Sequence, residues 1–151
     1  MFAPPRWKCH PRLSRMLLLF TFVAAALFID QFSKRAVENR VIEPVLWGPL
    51  LRIRKVRHCE RLYLQAAWRN GLLSLWHLAL VSAVCLHGSG LYLRSPLAVM
   101  GMGCALGGAA GNLMDILRQG NIVDFIDLGW WPVFNLADVA IVGGLLLAFS
   151  R

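Results

Sequence analysis

The 151-residue chain is 58% hydrophobic and only 16% charged, and its mean hydropathy is +0.57. Soluble domains contain about 25% charged residues and disordered chains contain few apolar ones, so both classes are excluded. The net charge of +8 suits contact with anionic lipid headgroups, and no nucleic-acid partner is expected. The composition therefore indicates an integral membrane protein.

Four apolar stretches are long enough to cross about 30 Å of hydrocarbon, which takes roughly 20 residues. They predict a single integral membrane domain over residues 1–151, with a first extracytoplasmic loop at residues 30–70. The spans are approximately 13–29, 71–93, 96–113 and 134–150.

The first span follows a basic N-terminus, as the apolar core of a cleaved signal peptide also does. A signal peptide would end in small residues at a cleavage site. Here the core "MLLLFTFVAAALFI" runs straight into "DQFSK", residues 30–34, so a permanent span is predicted. An even number of spans puts both termini on one side of the membrane, and the basic N-terminus favours the cytoplasm.

The first loop combines many basic residues with an alternation of apolar and basic side chains at residues 50–56. A period of two is typical of a strand, so a small sheet at the membrane surface is predicted. The loop holds more basic residues than the predicted cytoplasmic side. We interpret this charge as attraction to anionic headgroups, where each Lys or Arg contributes about 1 kcal/mol.

In the third span Gly103, Gly107 and Gly111 recur at every fourth position and share one helix face. Such a face allows close packing of a neighbouring helix, and it is also expected to leave room for lipid chains. Asn112 and Asp115 follow at the end of this span, three residues apart on one face.

A connection at residues 118–133 leads to the fourth span and contains a Trp-Trp-Pro segment typical of the headgroup level. Asn135 and Asp138 at the start of the fourth span repeat the three-residue spacing seen at the end of the third. Asp124 lies in the connection. Asp127 lies three residues further on and is expected to be solvated or to cap a helix.

Ionised carboxylates at the rim of hydrocarbon cost about 2.5 to 3.5 kcal/mol each and usually face a bundle interior or a wet cavity. Asp115, Asp124 and Asp138 could each cap a helix or pair with a base, but their concentration beside asparagines favours a site. Two facing carboxyl groups supply both an acid and a base. At a separation of a few ångströms the two groups do not both ionise, because their negative charges repel each other. One takes a proton from an attacking water, and the other donates to the developing oxyanion and then to the leaving nitrogen.

Other catalytic patterns are missing from the sequence. The four histidines and four cysteines lack the spacing of metal ligands, and no serine lies in a G-x-S-x-G setting. We therefore expect neither a metal nor another cofactor.

Four segments resemble, in order and spacing, the motifs of the bacterial lipoprotein signal peptidase family, signal peptidase II. They are "DQFSK" (30–34), "GGAAGNLMD" (107–115), "IVDFID" (122–127) and "FNLAD" (134–138). Each is weak alone, but four in order on a four-span chain are highly specific. The resemblance implies an all-α membrane protein, a bundle of four transmembrane helices with a small extracytoplasmic β cradle.

The resemblance also implies an aspartic endopeptidase of the bacterial cytoplasmic (inner) membrane that cleaves diacylglyceryl-modified prolipoproteins before the lipidated cysteine. These substrates and membrane lipids are then its partners, and a monomer is expected. Matched residue by residue, Asp124 and Asp138 correspond to the catalytic pair. The positions that match residues ordering this site are Asn112, Asp115, Asn135 and Ala137, with Asp30 and Lys34 at the top of the first span. Asp30 is expected to hold the loop near the membrane surface.

Two positions depart from the family's pattern. The first loop reads "RHCERLY" at residues 57–63, so His58 stands where the family has an asparagine and Glu60 where it has a glycine. His58 is a candidate for substrate recognition, and a plain solvated loop is the alternative. Ile116 stands where the family has an arginine, and Arg118 is expected to take over the pairing role of that arginine.

Two other classes stay open from the sequence. The chain could be an inactive relative that binds signal-peptide or lipidated helices, which the altered loop favours and the intact acid pair opposes. It could also be a membrane scaffold or a transporter subunit with a proton-carrying carboxylate, although the sequence shows neither paired half-helices nor a repeat. Cleavage of a prolipoprotein distinguishes the three.

Overall fold

The computed structural model describes residues 11–40, 45–46, 52–57, 66–88 and 95–150. Within these residues the chain forms four helices and three short strands. The helices are α1 (Pro11–Arg40), α2 (Ala66–Gly88), α3 (Pro96–Gln119) and α4 (Leu136–Phe149). The strands are β1 (Val45–Leu46), β2 (Arg52–Arg57) and β3 (Val123–Asp127). The predicted architecture, a helical bundle with a small sheet, is confirmed.

Two of the described helices, α1 and α3, are long and apolar enough to cross a membrane. The apolar parts of α2 and α4 are shorter, at Leu73–Cys85 and Leu136–Phe149. The helices expose many large apolar side chains, among them Phe28, which is 70% exposed. Exposed apolar side chains in this number suit contact with lipid.

Helix α1 continues well beyond its apolar stretch. Residues 30–40, which the sequence places at the start of the first extracytoplasmic loop, continue the helix of the first span. The segment "DQFSKRAVENR" contains no glycine or proline, and nothing interrupts the backbone hydrogen bonds where the apolar residues end. Asp30 and Lys34 therefore lie one turn apart on the helix, and both side chains are buried in the bundle.

Helix α3 is the central helix, and its two ends are well defined. The Ser95 side chain accepts a backbone N–H of the first turn at 3.0 Å, and Pro96 costs no hydrogen bond at that position. Gly120 ends the helix with a left-handed φ of 74°, which suits a residue without a Cβ. These limits place Asn112 and Asp115 in the last two turns of α3.

The predicted glycine face of α3 packs against α1. A Cβ at Gly103 would lie 2.7 Å from the Cβ of Phe22, and a Cβ at Gly111 would meet the Asp30 carboxylate. The expected packing seam is confirmed. The expected room for lipid chains on this face is wrong, because α1 fills it.

The other side of α3 packs against α4. A Cβ at Gly101 would lie 2.5 Å from the carbonyl oxygen of Gly144, and a Cβ at Gly144 would lie 2.5 Å from that of Gly101. Small residues on both helices therefore let their backbones meet closely, as in other membrane helix pairs. This contact brings the start of α4 beside the end of α3.

The strands form an antiparallel sheet in the order β1-β2-β3. Strand β2 coincides with the alternation at residues 50–56, so this prediction is confirmed. Strand β3 lies within the connection between the third and fourth spans, where the sequence analysis did not predict a strand. Asp124 on β3 is paired with Val56 on β2, and an isolated bridge joins Ile126 to Phe134 just before α4.

Candidate active site

Asn135 and Asp138 define the first turn of α4. The Asn135 Oδ1 accepts a hydrogen bond from the Asp138 backbone N at 3.0 Å, and the Asp138 Oδ2 accepts one from the Asn135 backbone N at 3.1 Å. This reciprocal capping box satisfies N–H groups that a helix start leaves without partners. It also fixes the Asp138 carboxylate at the helix end where the dipole favours negative charge.

Asp124 lies on β3 and reaches the same asparagine. Every second residue of the strand, from Val123 to Asp127, is buried, and Asp124 lies half-buried on the opposite side. The Asn135 Nδ2 donates to the Asp124 Oδ1 at 2.7 Å. Asn135 is completely buried, and it binds one acid through its side chain and the other through its backbone N–H.

Asn112 connects Asp138 with α1. Its Nδ2 donates to the Asp138 Oδ1 at 2.9 Å. Its Oδ1 accepts from the Lys34 Nζ at 2.9 Å and from the Asn135 Nδ2 at 3.0 Å. The structure thus brings both asparagines together with both acids, although these residues come from α3, β3 and the start of α4.

Lys34 is a buried cation between two carboxylates. Its Nζ lies 2.8 Å from the Asp30 Oδ2 and 2.7 Å from the Asp115 Oδ2. Removing one partner of a buried ion pair costs about 3 to 5 kcal/mol, because the other charge is left uncompensated. The expected pairing by Arg118 is wrong, because Arg118 is exposed near the end of α3 and Asp115 pairs with Lys34 instead.

Asp30 also binds the start of α4. Its Oδ1 accepts a hydrogen bond from the Ala137 backbone N at 3.0 Å. Ala137 is completely buried, and its carbonyl oxygen lies 2.5 Å from where a Cβ at Gly108 would be. Ala137 therefore contributes a backbone N–H and a small volume. In the described residues, Asp30 joins α1 to α3 and α4.

Gln31 belongs to this cluster, although the sequence reasoning did not select it. Its Nε2 donates to the Asp115 Oδ1 at 2.8 Å and to the Gly111 carbonyl oxygen at 3.2 Å. Its position beside Asp30 in "DQFSK" was the available signal. Helical spacing alone does not reveal the contact, because adjacent residues point in different directions around a helix.

Two further residues from the sequence analysis are Asp127, which the structure describes, and His58, which it does not. The Asp127 side chain is buried, and its Oδ1 accepts a hydrogen bond from the Gly129 backbone N at 2.8 Å. Asp127 thus closes a turn in which Gly129 has a φ of 79°, so the expectation of a solvated side chain is wrong and that of a capping role agrees with the turn. His58 and the altered loop lie outside the described residues, and the role of His58 stays a prediction.

Two apolar grooves end at the polar cluster. One, of about 320 Å³, lies between α2 and α3 and is lined by Trp76, Ile116 and Asn112 among others. The other, of about 350 Å³, follows α4 from Asp138 to Leu146. Apolar walls with a few polar groups at one end are typical of sites for ligands that have both an apolar and a polar part.

The arrangement suits acid–base chemistry at a peptide bond. Two carboxylates held by one asparagine provide one group that can accept a proton and another that can donate one. Among the described residues, no group of three or more His, Cys, Asp or Glu side chains is arranged to hold a metal ion.

Comparison with known proteins reveals similarity along most of the chain. Residues 22–151 match the family described as signal peptidase (SPase) II. The lipoprotein signal peptidase of Rhodococcus jostii (strain RHA1) is 40% identical over 96% of this chain and 75% of its own length. That of Pelotomaculum thermopropionicum is 34% identical over 89% of this chain and 91% of its own length. The chain spans 60% of the length of the Mycolicibacterium smegmatis relative, at 34% identity.

Solved structures share the fold. A bacterial membrane enzyme determined by the in meso method at 1.9 Å resolution aligns with a TM-score of 0.68 and 21% identity, over 89% of this chain and 88% of its own. A second one, at 2.3 Å resolution, aligns with a TM-score of 0.66 and 19% identity. The fold agrees with the match to the family, and the chain therefore belongs to the signal peptidase II family and is a membrane-embedded protease.

Proposed function

We propose that this protein is an aspartic endopeptidase that removes the signal peptide from diacylglyceryl-modified prolipoproteins by cutting before the lipidated cysteine. The observation that carries the proposal is the pair of contacts made by Asn135. One buried residue holds Asp124 and Asp138 together, although they come from a strand and a helix. The names of the relatives, lipoprotein signal peptidases, supply the substrate class.

The two acids divide the chemistry between them. The ionised carboxylate takes a proton from water as the water oxygen bonds to the peptide carbonyl carbon, and the protonated carboxylate donates to the carbonyl oxygen. The roles reverse as the C–N bond breaks: the first acid protonates the leaving nitrogen and the second recovers its proton. Both acids end in their starting state.

The surroundings of the pair suit a lipid-anchored substrate. The acids lie where the apolar helices α3 and α4 meet a short sheet, and the exposed Trp130 and Trp131 beside them suit the headgroup level. The groove along α4 begins at Asp138 and is otherwise apolar, so it can receive an apolar chain whose polar end lies at the acids. We place the protein in the bacterial cytoplasmic membrane as a monomer, with both termini in the cytoplasm and the acids at the outer face.

The test is cleavage of a diacylglyceryl-modified prolipoprotein by the purified protein in detergent. We expect Asp124→Asn and Asp138→Asn to abolish cleavage, because each removes the proton acceptor or donor from the pair. Asp127→Asn is the matched control: it makes the same change in the same strand, and the asparagine oxygen can still accept the Gly129 N–H. Near-normal activity in either of the first two variants would exclude Asp124 and Asp138 as the catalytic pair.

The same assay distinguishes a peptidase from an inactive relative that only binds its substrate. An inactive relative would bind the prolipoprotein without cutting it, and the Asp124→Asn variant would then be indistinguishable from the unaltered protein. An otherwise identical precursor without the diacylglyceryl group should not be cut, because its cleavage site is not held at the membrane face.

A further inference from the structure

Two adjacent glycines of α4 have different surroundings. Gly144 packs against α3, where an added Cβ would lie 2.5 Å from the carbonyl oxygen of Gly101. An added Cβ at Gly143 would meet no atom within 4 Å. A glycine inside a helix costs about 1 kcal/mol relative to alanine, and the packing of the described residues does not require one at this position. Gly143 therefore leaves an unfilled space on the outer side of α4.

This space belongs to the groove of about 350 Å³ along α4. The lining residues of the groove lie on α4 or just before it, so α1, α2 and α3 do not cover it. Along α4 it is lined by residues three and four positions apart: Val139, Val142, Gly143 and Leu146. Helices pack on one another at this spacing. The groove ends at Asp138, one of the proposed catalytic acids, so a segment lying in it is continuous with the site of cleavage.

The substrate of the proposed reaction brings an apolar helix to the acids. A signal peptide has an apolar core. In hydrocarbon the backbone N–H and C=O groups of such a segment must be hydrogen-bonded within the segment, which makes it a helix. A helix with its side chains is about 10 to 12 Å wide. The signal peptide therefore needs a place beside the acids that accommodates a whole helix.

The groove between α2 and α3 does not have this width. Both helices line it, and the Trp76 Nε1 on α2 donates a hydrogen bond to the Leu106 carbonyl oxygen on α3 at 3.2 Å. The axes of two helices in contact lie about 8 to 10 Å apart, which is less than the width of a third helix. A slender acyl chain fits between α2 and α3, whereas a helix fits the uncovered side of α4.

We propose that Gly143 is a specificity-determining residue, at which the helix of the signal peptide packs against α4 and places a large apolar side chain in the unfilled space. This inference rests on the proposed peptidase function. Gly143 lies five residues after Asp138, which is about 7.5 Å along the helix axis. The side chain that fills the space therefore belongs to the part of the signal peptide nearest the cleaved bond.

The first test measures kcat and KM for prolipoprotein cleavage by the full-length protein in detergent. In Gly143→Leu we expect KM to rise about 10-fold while kcat stays close to that of the unaltered protein, because the new side chain takes the space of the substrate and leaves the acids in place. Thermal unfolding should show no loss of stability. Gly71→Leu on α2 is the matched control: an added Cβ there also meets no atom within 4 Å, and KM should not change.

Changes in the substrate identify what occupies the groove. Precursors in which single leucines of the apolar core are replaced by alanine should include one that restores the KM of Gly143→Leu, because the smaller side chain leaves room for the new leucine. Shorter acyl chains on the diacylglyceryl group should not restore it. An unchanged KM in Gly143→Leu would overturn the proposal. Recovery with shorter acyl chains alone, or with neither series of precursors, would also overturn it.

A cross-linking measurement gives an answer even where Gly143→Leu does not fold. The Asp124→Asn variant is mixed with a prolipoprotein that carries a photoreactive side chain in the apolar core of its signal peptide, and mass spectrometry identifies the residues attached to it. We expect cross-links to Val139, Val142 or Leu146. Cross-links to α2 and α3 without any to α4 would overturn the proposal. Failure of the unaltered protein to cleave the prolipoprotein would instead overturn the proposed function.

Discussion

Asn135 is the residue at which most of the site's contacts meet. Its Oδ1 caps α4, its Nδ2 binds Asp124 and Asn112, and its backbone N–H binds Asp138. A buried polar side chain is favourable only when its groups are hydrogen-bonded, and those of Asn135 are. The residue that begins the helix therefore also sets the positions of the two acids.

Two substitutions separate these roles of Asn135. Asn135→Ser keeps an oxygen that can cap α4 but loses the amide N–H groups, whereas Asn135→Ala loses both. We expect Asn135→Ala to lower the free energy of unfolding by about 1 kcal/mol more than Asn135→Ser. Both should lower kcat about 100-fold, because the acids lose their common partner. Thermal unfolding in detergent and prolipoprotein cleavage measure the two effects, and an active Asn135→Ser variant would contradict the positioning role.

The paired polar residues could be predicted from the sequence, but their long-range partners could not. Asn112 with Asp115, and Asn135 with Asp138, show a three-residue spacing that places each pair on one helix face. The contact between Lys34 and Asn112 joins residues 78 positions apart. That contact depends on how α1 packs against α3, which the spacing of residues along the sequence does not predict.

At the scale of elements, α3 owes its central place to glycines on two sides. Gly103, Gly107 and Gly111 face α1, whereas Gly101 and Gly108 face α4. Gly111 differs from the others because its neighbour is the carboxylate of Asp30 rather than backbone or apolar atoms. The close packing of α1 and α3 therefore also determines where the Asp30 and Lys34 side chains lie.

Gly111→Ala should disturb the site through Asp30. The new Cβ would occupy the place of the Asp30 carboxylate, and that carboxylate binds Lys34 and the Ala137 N–H. We expect a loss of about 1 to 3 kcal/mol in the free energy of unfolding, as for other overpacked positions, together with reduced cleavage. Gly71→Ala on α2 meets no atom within 4 Å and should be neutral or slightly stabilising. Equal behaviour of the two variants would exclude this contact as the cause.

The element boundaries differ from the sequence expectations for identifiable reasons. Hydropathy marks where an apolar stretch ends, but helix α1 continues because the polar segment contains good helix formers such as Gln31, Lys34 and Arg35 and no glycine or proline. Strand β3 has only five residues, and the alternation in "VDFID" is too short to predict a strand by itself. Strand β3 forms because its backbone N–H and C=O groups are hydrogen-bonded to those of β2.

At the scale of the whole molecule, polar contacts concentrate at one end of an otherwise apolar bundle. Helices α1, α3 and α4 meet there through Asp30, Lys34, Asn112 and Asp115. Elsewhere the helices contact one another through small residues and expose large apolar ones. In the orientation proposed above, with both termini in the cytoplasm, this polar end lies at the outer face.

Reporter fusions test this orientation. An alkaline phosphatase fused after Gly120, at the polar end of α3, should be active, because this enzyme matures only outside the cytoplasm. A green fluorescent protein fused to the C-terminus should fluoresce if that terminus is cytoplasmic. This reporter folds in the cytoplasm but does not become fluorescent after export in unfolded form. The opposite pair of results would show that the acids face the cytoplasm.

The Asp30 and Lys34 pair has a consequence for how the protein enters the membrane. Synthesis delivers α1 long before Asn112 and Asp115, which complete the surroundings of Lys34. A lone charge within a membrane helix costs about 2.5 to 3.5 kcal/mol during insertion. Because Asp30 lies one turn from Lys34 and contacts it at 2.8 Å, α1 carries its own counter-ion. The Asp30–Lys34 pair, which has no net charge of its own, can thus stay in the bilayer until the third helix is inserted.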